Sequence, residues 1–189
     1  MKITPYQYFL KDDGVFPNNN FPVVHYKKVI GNPVPKWLSC AYFKFLFFEN
    51  DWLNNLKTGI ATFHHYHSNT HKVLGVCSGK IMLLLGGESG LQITIEKGDV
   101  LIIPAGVAHK NLGNENDVIC VEGYADGITQ DIRYGRLHER PVADISIALA
   151  PFPVTDPLLG EGAGLVKVWK KIEALGRIKF LQAVKINVG

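Results

Sequence analysis

The feature that most constrains this chain is a succession of short apolar segments between residues 59 and 125. They are rich in valine, isoleucine, leucine and aromatic residues. They are separated by glycine-containing pairs such as Ser78-Gly79, Gly86-Gly87 and Lys97-Gly98. Segments this short, with turns every eight to twelve residues or so and no helical pattern between them, indicate antiparallel sheet. The sequence therefore predicts an antiparallel sandwich or barrel, with strands at 59–67, 72–77, 80–85, 91–95, 100–103 and 118–124.

The flanking regions have different patterns. Residues 1–33 are rich in turn formers, which predicts an N-terminal arm, and residues 141–189 predict a C-terminal extension that packs on the barrel through a short helix. Residues 34–50 predict a flanking helix, and 51–140 the barrel core of what we expect to be a single domain. Apolar residues of the helix recur at three- and four-residue intervals, which predicts a stripe packed on the domain. They are Trp37, Leu38, Ala41, Tyr42, Phe45, Leu46 and Phe48.

Composition excludes several classes of protein. The chain has 189 residues, 47% of them hydrophobic, so it can bury a core, and its net charge of +3 is too small to argue for a nucleic-acid partner. The first dozen residues lack the apolar core of a signal peptide and no apolar run spans a bilayer, so we expect no membrane partner and a cytoplasmic location. Cys40, Cys77 and Cys120 lie far apart, and we expect three buried, reduced thiols.

Histidines form the candidate site. In a strand, residues two apart face the same side, so His65 and His67 point one way. A turn built on Pro104 and Gly106 then brings His109 beside them from another strand. Three convergent imidazoles predict a divalent-metal site with positions left for water or substrate.

Two motifs extend this pattern. Gly59, His65, His67 and Gly79 are spaced as Gly, five residues, His, one, His, then eleven and Gly, while Gly98, Pro104, Gly106 and His109 follow a second fixed spacing. Both resemble the motifs of the cupin superfamily, and the chain more narrowly resembles the bacterial YjlB-like single-domain cupins, whose function is unassigned. The resemblance implies an all-β fold: a cupin jelly-roll β-barrel of two antiparallel sheets with a flanking N-terminal helix and a short C-terminal helix.

One departure from the family pattern concerns the fourth ligand. Lys72 stands where the first cupin motif places a glutamate, and a charged ammonium there would repel a metal. Three alternatives follow: a one-residue shift makes His71 the fourth ligand; Lys72 swings clear and three histidines hold the metal; or the site has lost its metal and Lys72 meets an anionic ligand. Glu122 and Tyr124, on the strand after the second motif, join Lys72 as candidate pocket residues.

The resemblance also limits the functional expectations. It implies a divalent transition metal (Fe, Ni, Zn, Mn or Cu) and a small polar molecule as ligand or substrate, with oxygenase or isomerase chemistry if the protein is an enzyme. The alternative is a non-catalytic small-molecule or metal-binding barrel, a sensor whose site is degenerate because of Lys72. Family members commonly pair through edge strands or N-terminal arms, so we expect a homodimer. His25 and His138 stand alone and are expected at the solvated surface.

Overall fold

The computed structural model describes residues 4–31 and 34–186, with side chains described as far as residue 175. Asn32 and Pro33 of the predicted N-terminal arm lie outside this description, as do the side chains of residues 176–189, the basic end of the predicted C-terminal extension. The strands are β1 (Tyr6–Leu10), β2 (Asn19–Tyr26), β3 (Trp52–Thr58), β4 (Lys72–Leu85), β5 (Leu91–Glu96), β6 (Val100–Ile103), β7 (His109–Asn111), β8 (Val118–Ala125), β9 (Thr155–Asp156) and β10 (Gly160–Glu161). The helices are α1 (Lys36–Glu49), α2 (Val142–Leu149) and α3 (Gly164–Ile186).

The strands form an antiparallel barrel in which β4 is the shared wall. The main sheet has the order β1-β2-β6-β4-β8-β3, and β5 and β7 pair with the far half of β4. Short antiparallel strands with inward apolar side chains give the barrel its core, which includes Leu74, Val76, Leu83 and Leu101. The predicted all-β double-sheet barrel with flanking helices is confirmed. Among the described residues, no helix combines the length and apolar character needed to cross a bilayer.

Three predicted elements are corrected. Ser78-Gly79 is not a hairpin turn: it lies within β4, where the register against β8 shifts and Gly79 takes a φ of +87°. Such a bulge bends a strand without ending it, so one long strand replaces two short ones. The strand predicted at 59–67 does not form; β3 ends at Thr58, and residues 59–71 contain only isolated bridges at His65 and Tyr66.

The third correction concerns the helices after the barrel. The closing helix α3 is not short, since it runs through Gly176, and α2 was not predicted. A single glycine inside a helix lowers its stability by only about 1 kcal/mol, and the helical turns on either side offset that loss.

Helix α1 packs on the outer face of β4 through the side opposite to the predicted stripe. Its buried apolar residues are Cys40, Phe43 and Phe47, whereas Trp37 is 72% and Phe48 64% exposed. The docking is set by Gly75: a Cβ there would lie 2.6 Å from the Phe43 ring, so only glycine lets that ring rest on the strand. The stripe prediction was therefore wrong about which face is buried.

The cysteines also differ from expectation. Cys40 of α1 and Cys77 of β4 form a disulfide with their Cα atoms 5.2 Å apart, so the prediction of three reduced thiols is wrong for this pair. The helix docks where these two side chains meet, which spacing along the sequence does not reveal. Cys120 is free and buried as expected, and burial raises the pKa of its thiol to about 12.

Candidate metal centre

Backbone hydrogen bonds bring the motif histidines together. The amide of His65 donates to the His109 carbonyl at 3.3 Å, and the amide of His109 donates to the His65 carbonyl at 3.0 Å. The amide of Gly106 donates to the His67 carbonyl at 2.7 Å, and Gly106 has a φ of +86°. A Cβ at this glycine would meet the Asn18 carbonyl at 2.5 Å, so the tight approach requires glycine. The turn predicted from Pro104 and Gly106 thus delivers His109 beside the other two rings.

The three rings converge at one point. His65, His67 and His109 each offer a ring nitrogen, and these atoms all lie within 4.8 Å of one another. The ring centroids of His65 and His109 are 4.2 Å apart, and those of His65 and His67 5.7 Å. All three side chains are buried. Among the described residues this is the one group of three or more such side chains that could hold a metal ion.

Each imidazole is held through Nδ1, which leaves Nε2 for a ligand. Nδ1 of His65 lies 3.2 Å from the Phe63 carbonyl, and Nδ1 of His109 lies 3.2 Å from the Val107 carbonyl. Nδ1 of His67 donates to the Asp131 carbonyl. A carbonyl only accepts, so each neutral ring carries its proton on Nδ1 and directs an Nε2 lone pair inward. Nε2 of His67 and of His109 is buried and has no hydrogen-bond partner in the described part of the chain, so the donor set fits a metal ion.

Asp131 supports this arrangement from outside the predicted site. Its carboxylate accepts from the amide of Ser68 at 2.6 Å, the Ser68 hydroxyl at 2.5 Å and Nε of Arg133 at 2.8 Å. Because Ser68 follows His67, these contacts fix the Asp131 carbonyl on that imidazole. Sequence reasoning missed Asp131, since a backbone carbonyl that orients a ligand leaves no side-chain signature.

Burial keeps the three ligand candidates neutral. Burial, and after it the nearby Lys72 ammonium, lowers the pKa of His65 to about 4 and that of His67 to about 3. The pKa of His109 is well below its ordinary value, again because of burial and then of the neighbouring His65 and Lys72. Neutral imidazole is the form that binds metals, so little proton competition opposes binding near neutral pH.

The three pocket candidates lie together beside the cluster. Nζ of Lys72 is 2.8 Å from Oε2 of Glu122, and both side chains are about nine-tenths buried. The Tyr124 hydroxyl also bonds to Glu122, and the Tyr124 ring lies 5.4 Å from that of His67. Burial, with Glu122 adding to it, raises the pKa of Tyr124. The barrel wall next to the histidines therefore carries a cation and an anion that compensate each other, and a neutral hydroxyl that bonds to the anion.

His71 faces the other side of the wall. Consecutive strand residues alternate in direction, so with Lys72 beside Glu122 the imidazole of His71 points away from the barrel interior. Its Nδ1 accepts from the amide of Ala105 at 3.0 Å, and its ring packs 4.8 Å from that of Trp169. The structure does not bring His71 into the three-histidine group. His71 thus lies outside the three-histidine group, while Lys72 stays near it and is paired with Glu122.

The two histidines outside the cluster that were expected at the surface, His25 and His138, differ in exposure. His138 is exposed as expected. His25 is wholly buried in β2, where Nε2 lies 3.0 Å from Oδ2 of Asp99 and Nδ1 lies 3.2 Å from the Tyr8 hydroxyl. The surface prediction for His25 was wrong because the N-terminal arm is part of the main sheet, and β1 covers this position.

Comparison with known proteins agrees with the architecture. A family model described as a cupin domain matches residues 55–122. The uncharacterized protein YjlB of Bacillus subtilis (strain 168) is 33% identical over 165 residues, which are 87% of this chain and 96% of that protein.

Solved structures give weaker matches. Acireductone dioxygenase from Bacillus anthracis, with a cadmium ion in its active centre, has a TM-score of 0.38 and 13% identity over 56% of this chain and 72% of that one. Procruciferin, an 11S globulin from Brassica napus, has a TM-score of 0.34 and 16% identity over 42% of this chain; the match spans 21% of that longer chain.

Proposed function

The chain belongs to the YjlB-like proteins of the cupin superfamily, and from this premise we propose that it binds one divalent transition metal through His65, His67 and His109. The observation that carries the proposal is the convergence of three neutral imidazoles whose Nδ1 atoms are already committed to backbone carbonyls. An all-nitrogen ligand set suits Fe(II), Ni(II), Zn(II), Mn(II) or Cu(II).

The same pocket supports a small polar molecule as ligand or substrate. Three protein ligands leave coordination positions open, and a metal in such a site acts as a Lewis acid on a bound oxygen atom. Lys72 supplies buried N–H donors next to these positions, while Glu122 supplies an acceptor and compensates its charge. We infer that these two side chains orient the polar groups of the molecule, with Tyr124 packed behind them.

The second candidate is a non-catalytic small-molecule or metal-binding barrel. This candidate is favoured by Lys72, which occupies the position of the family's glutamate ligand and is already paired with Glu122. The two candidates differ in turnover. A substrate screen with Fe(II) under oxygen supports the enzyme if activity vanishes in the His65→Ala/His67→Ala variant. Small-molecule binding without turnover supports the binding barrel.

Elemental analysis of protein purified without added metal tests the metal site. We expect about one equivalent of a transition metal per chain, and its loss in the His65→Ala/His67→Ala variant. His138→Ala is the matched control, because that histidine is exposed and outside the cluster. A wild-type protein that stays metal-free after titration with each of the five metals contradicts the proposal. So does equal metal content in the double variant and the control.

We also propose that two copies associate as a homodimer and that the protein is cytoplasmic. Support for the dimer comes from α1, whose outer face exposes Trp37, Tyr42, Phe45 and Phe48. A continuous exposed apolar face is typical of an interaction surface. Because every copy of the chain carries this face, two copies can pair through it across a two-fold axis.

A further inference from the structure

Two exposed aromatic side chains border the metal centre. Tyr66 and Arg133 form an antiparallel backbone pair, in which each amide donates to the other's carbonyl at 2.9 Å. This pair places Tyr134 opposite His65. Residues opposite each other in an antiparallel pair point to the same face, as do residues two apart in one strand. Tyr134 and Phe63 therefore share the face on which the imidazole of His65 meets the other two histidines.

The ring contacts agree with this placement. The Phe63 ring is 5.6 Å from the His65 ring and 5.9 Å from the Tyr134 ring. The guanidinium of Arg136 lies over the Tyr134 ring, 5.0 Å from its centroid. Phe63 is 55% and Tyr134 42% exposed, and Arg136 is exposed as well. These three side chains, Phe63, Tyr134 and Arg136, are called the aromatic rim below.

Solvent reaches the three histidines from the side of the rim. His109 is wholly buried, whereas His65 keeps 7% and His67 5% of its surface exposed. Both of these residues belong to the segment that carries Phe63. A molecule that approaches the centre from solvent therefore passes the aromatic rim.

The backbone holds the rim in a fixed place. The Glu139 carboxylate accepts hydrogen bonds from the amide of Tyr134 at 2.9 Å and from that of Gly135 at 2.8 Å. The Asp131 carboxylate ties the start of the same segment to Ser68. Groups that are positioned before binding lose less entropy when a ligand arrives. Exposed aromatic side chains held in this way are typical of a binding surface.

The guanidinium of Arg136 indicates the charge of the ligand. Arg133 and Arg140 both pair with aspartates. Within the described part of the chain, Arg136 pairs with no carboxylate, and the Lys72 ammonium is already compensated by Glu122. A guanidinium binds a carboxylate through two parallel N–H···O bonds. An anionic group of a ligand would therefore pair with Arg136.

We propose that the ligand of this centre is an aromatic carboxylate, whose ring rests on Phe63 and Tyr134 and whose carboxylate pairs with Arg136. As a substrate assignment this rests on the proposed function, because the ligand occupies the same pocket as the metal. The opposite edge of the ring faces the histidines, where Lys72 and Glu122 meet its polar substituents. Flat rings are favoured here because they stack on aromatic side chains.

Three probes of similar size separate the two contacts. 4-Hydroxybenzoate has both features, 4-hydroxybenzamide lacks the charge, and trans-4-hydroxycyclohexanecarboxylate lacks the flat ring. Isothermal titration calorimetry with protein incubated with Zn(II) measures their dissociation constants. We expect 4-hydroxybenzoate to bind about fivefold more tightly than either of the others, or better.

Two variants assign the contacts to residues. Arg136→Gln should weaken the binding of 4-hydroxybenzoate about fivefold and leave that of 4-hydroxybenzamide unchanged. Tyr134→Leu should weaken the binding of both aromatic probes more than that of the cyclohexane acid. Lys27→Gln and Tyr6→Leu are the matched controls, because the Lys27 ammonium lies 4.7 Å from the centroid of the exposed Tyr6 ring on β1, outside the metal centre.

The zinc content of the same samples separates this inference from the metal proposal. Both rim variants should hold as much zinc as the wild type, since neither side chain belongs to the three-histidine group. Weaker binding that accompanies loss of zinc, equal affinities for the three probes, or indifference to either rim variant overturns the inference. A wild-type protein that takes up no zinc but still discriminates the probes as expected contradicts the metal proposal alone.

Discussion

At the scale of single residues, the Lys72–Glu122 pair decides how the centre tolerates a lysine. A buried ammonium without a partner would repel a divalent cation. When the ammonium is paired with a carboxylate, its charge is largely cancelled within the pocket. Nζ and Oε2 are 2.8 Å apart, and the two residues lie on neighbouring strands, β4 and β8. Removing one partner of a buried pair typically costs 3–5 kcal/mol or so, because the other charge is left uncompensated.

We predict that Glu122→Gln lowers the affinity for Zn(II) more than about tenfold, because an uncompensated Lys72 ammonium beside the three histidines repels a divalent cation. The Lys72→Met/Glu122→Gln double variant should recover most of the affinity. Competition with a chromogenic chelator measures both. Glu115→Gln, at an exposed carboxylate, is the control. Equal affinities in the single and double variants would show that Lys72 does not act on the centre.

The sequence predicted these side chains better than their surroundings. Motif spacing placed His65, His67 and His109 together although the strand assumed for the first two does not form, since backbone bridges to the turn position them instead. The role of Asp131 was not predictable, because the contact that orients His67 comes from a carbonyl 64 residues away.

At the scale of elements, α1 shows where periodicity fails. The helix is apolar on most of its circumference, so two faces compete for the core, and the three- and four-residue spacing selected the face that is exposed. The choice depends on what the sheet offers: a glycine at position 75 accommodates Phe43, and Cys77 meets Cys40. Both facts belong to another part of the chain, 30 or more residues downstream in sequence.

The Cys40–Cys77 disulfide should tether α1 to β4. Closing a 37-residue separation stabilises a protein by about 3–4 kcal/mol in the chain-entropy model, so Cys40→Ala/Cys77→Ala should lower the free energy of unfolding by about that amount. Dithiothreitol should bring the wild-type protein to the level of the variant. Alkylation of acid-quenched, denatured protein without reductant should label Cys120 alone. Labelling of all three cysteines would rule out the disulfide, and since cytosolic thiols are usually reduced, it would fit the predicted location.

At the scale of the whole molecule, the outer face of α1 exposes four large aromatic side chains. The helix is 14 residues long, so its apolar face extends for about 21 Å. The other candidate surface for self-association is β1, which forms one edge of the main sheet and exposes Phe9. An edge strand offers unpaired backbone groups, whereas the helix offers apolar area.

We expect sedimentation velocity at micromolar concentration to give the mass of a dimer, and Phe45→Glu/Phe48→Glu to give a monomer of unchanged thermal stability, because both residues are exposed in the single chain. Leu137→Glu is the control, since Leu137 is fully exposed away from α1. If Phe9→Glu dissociates the dimer and the α1 variant does not, the edge strand is the interface. A monomeric wild-type protein would contradict the dimer itself.

The carbonyls that hold Nδ1 of each clustered histidine belong to Phe63, Val107 and Asp131, and they are main-chain groups. Ring orientation is therefore insulated from the identity of the side chains that face the open positions. Substitutions of Lys72 or Glu122 that are designed to bind a different small molecule should therefore leave the orientation of the three histidines unchanged. Such a design needs to compensate only the change in charge and in side-chain volume.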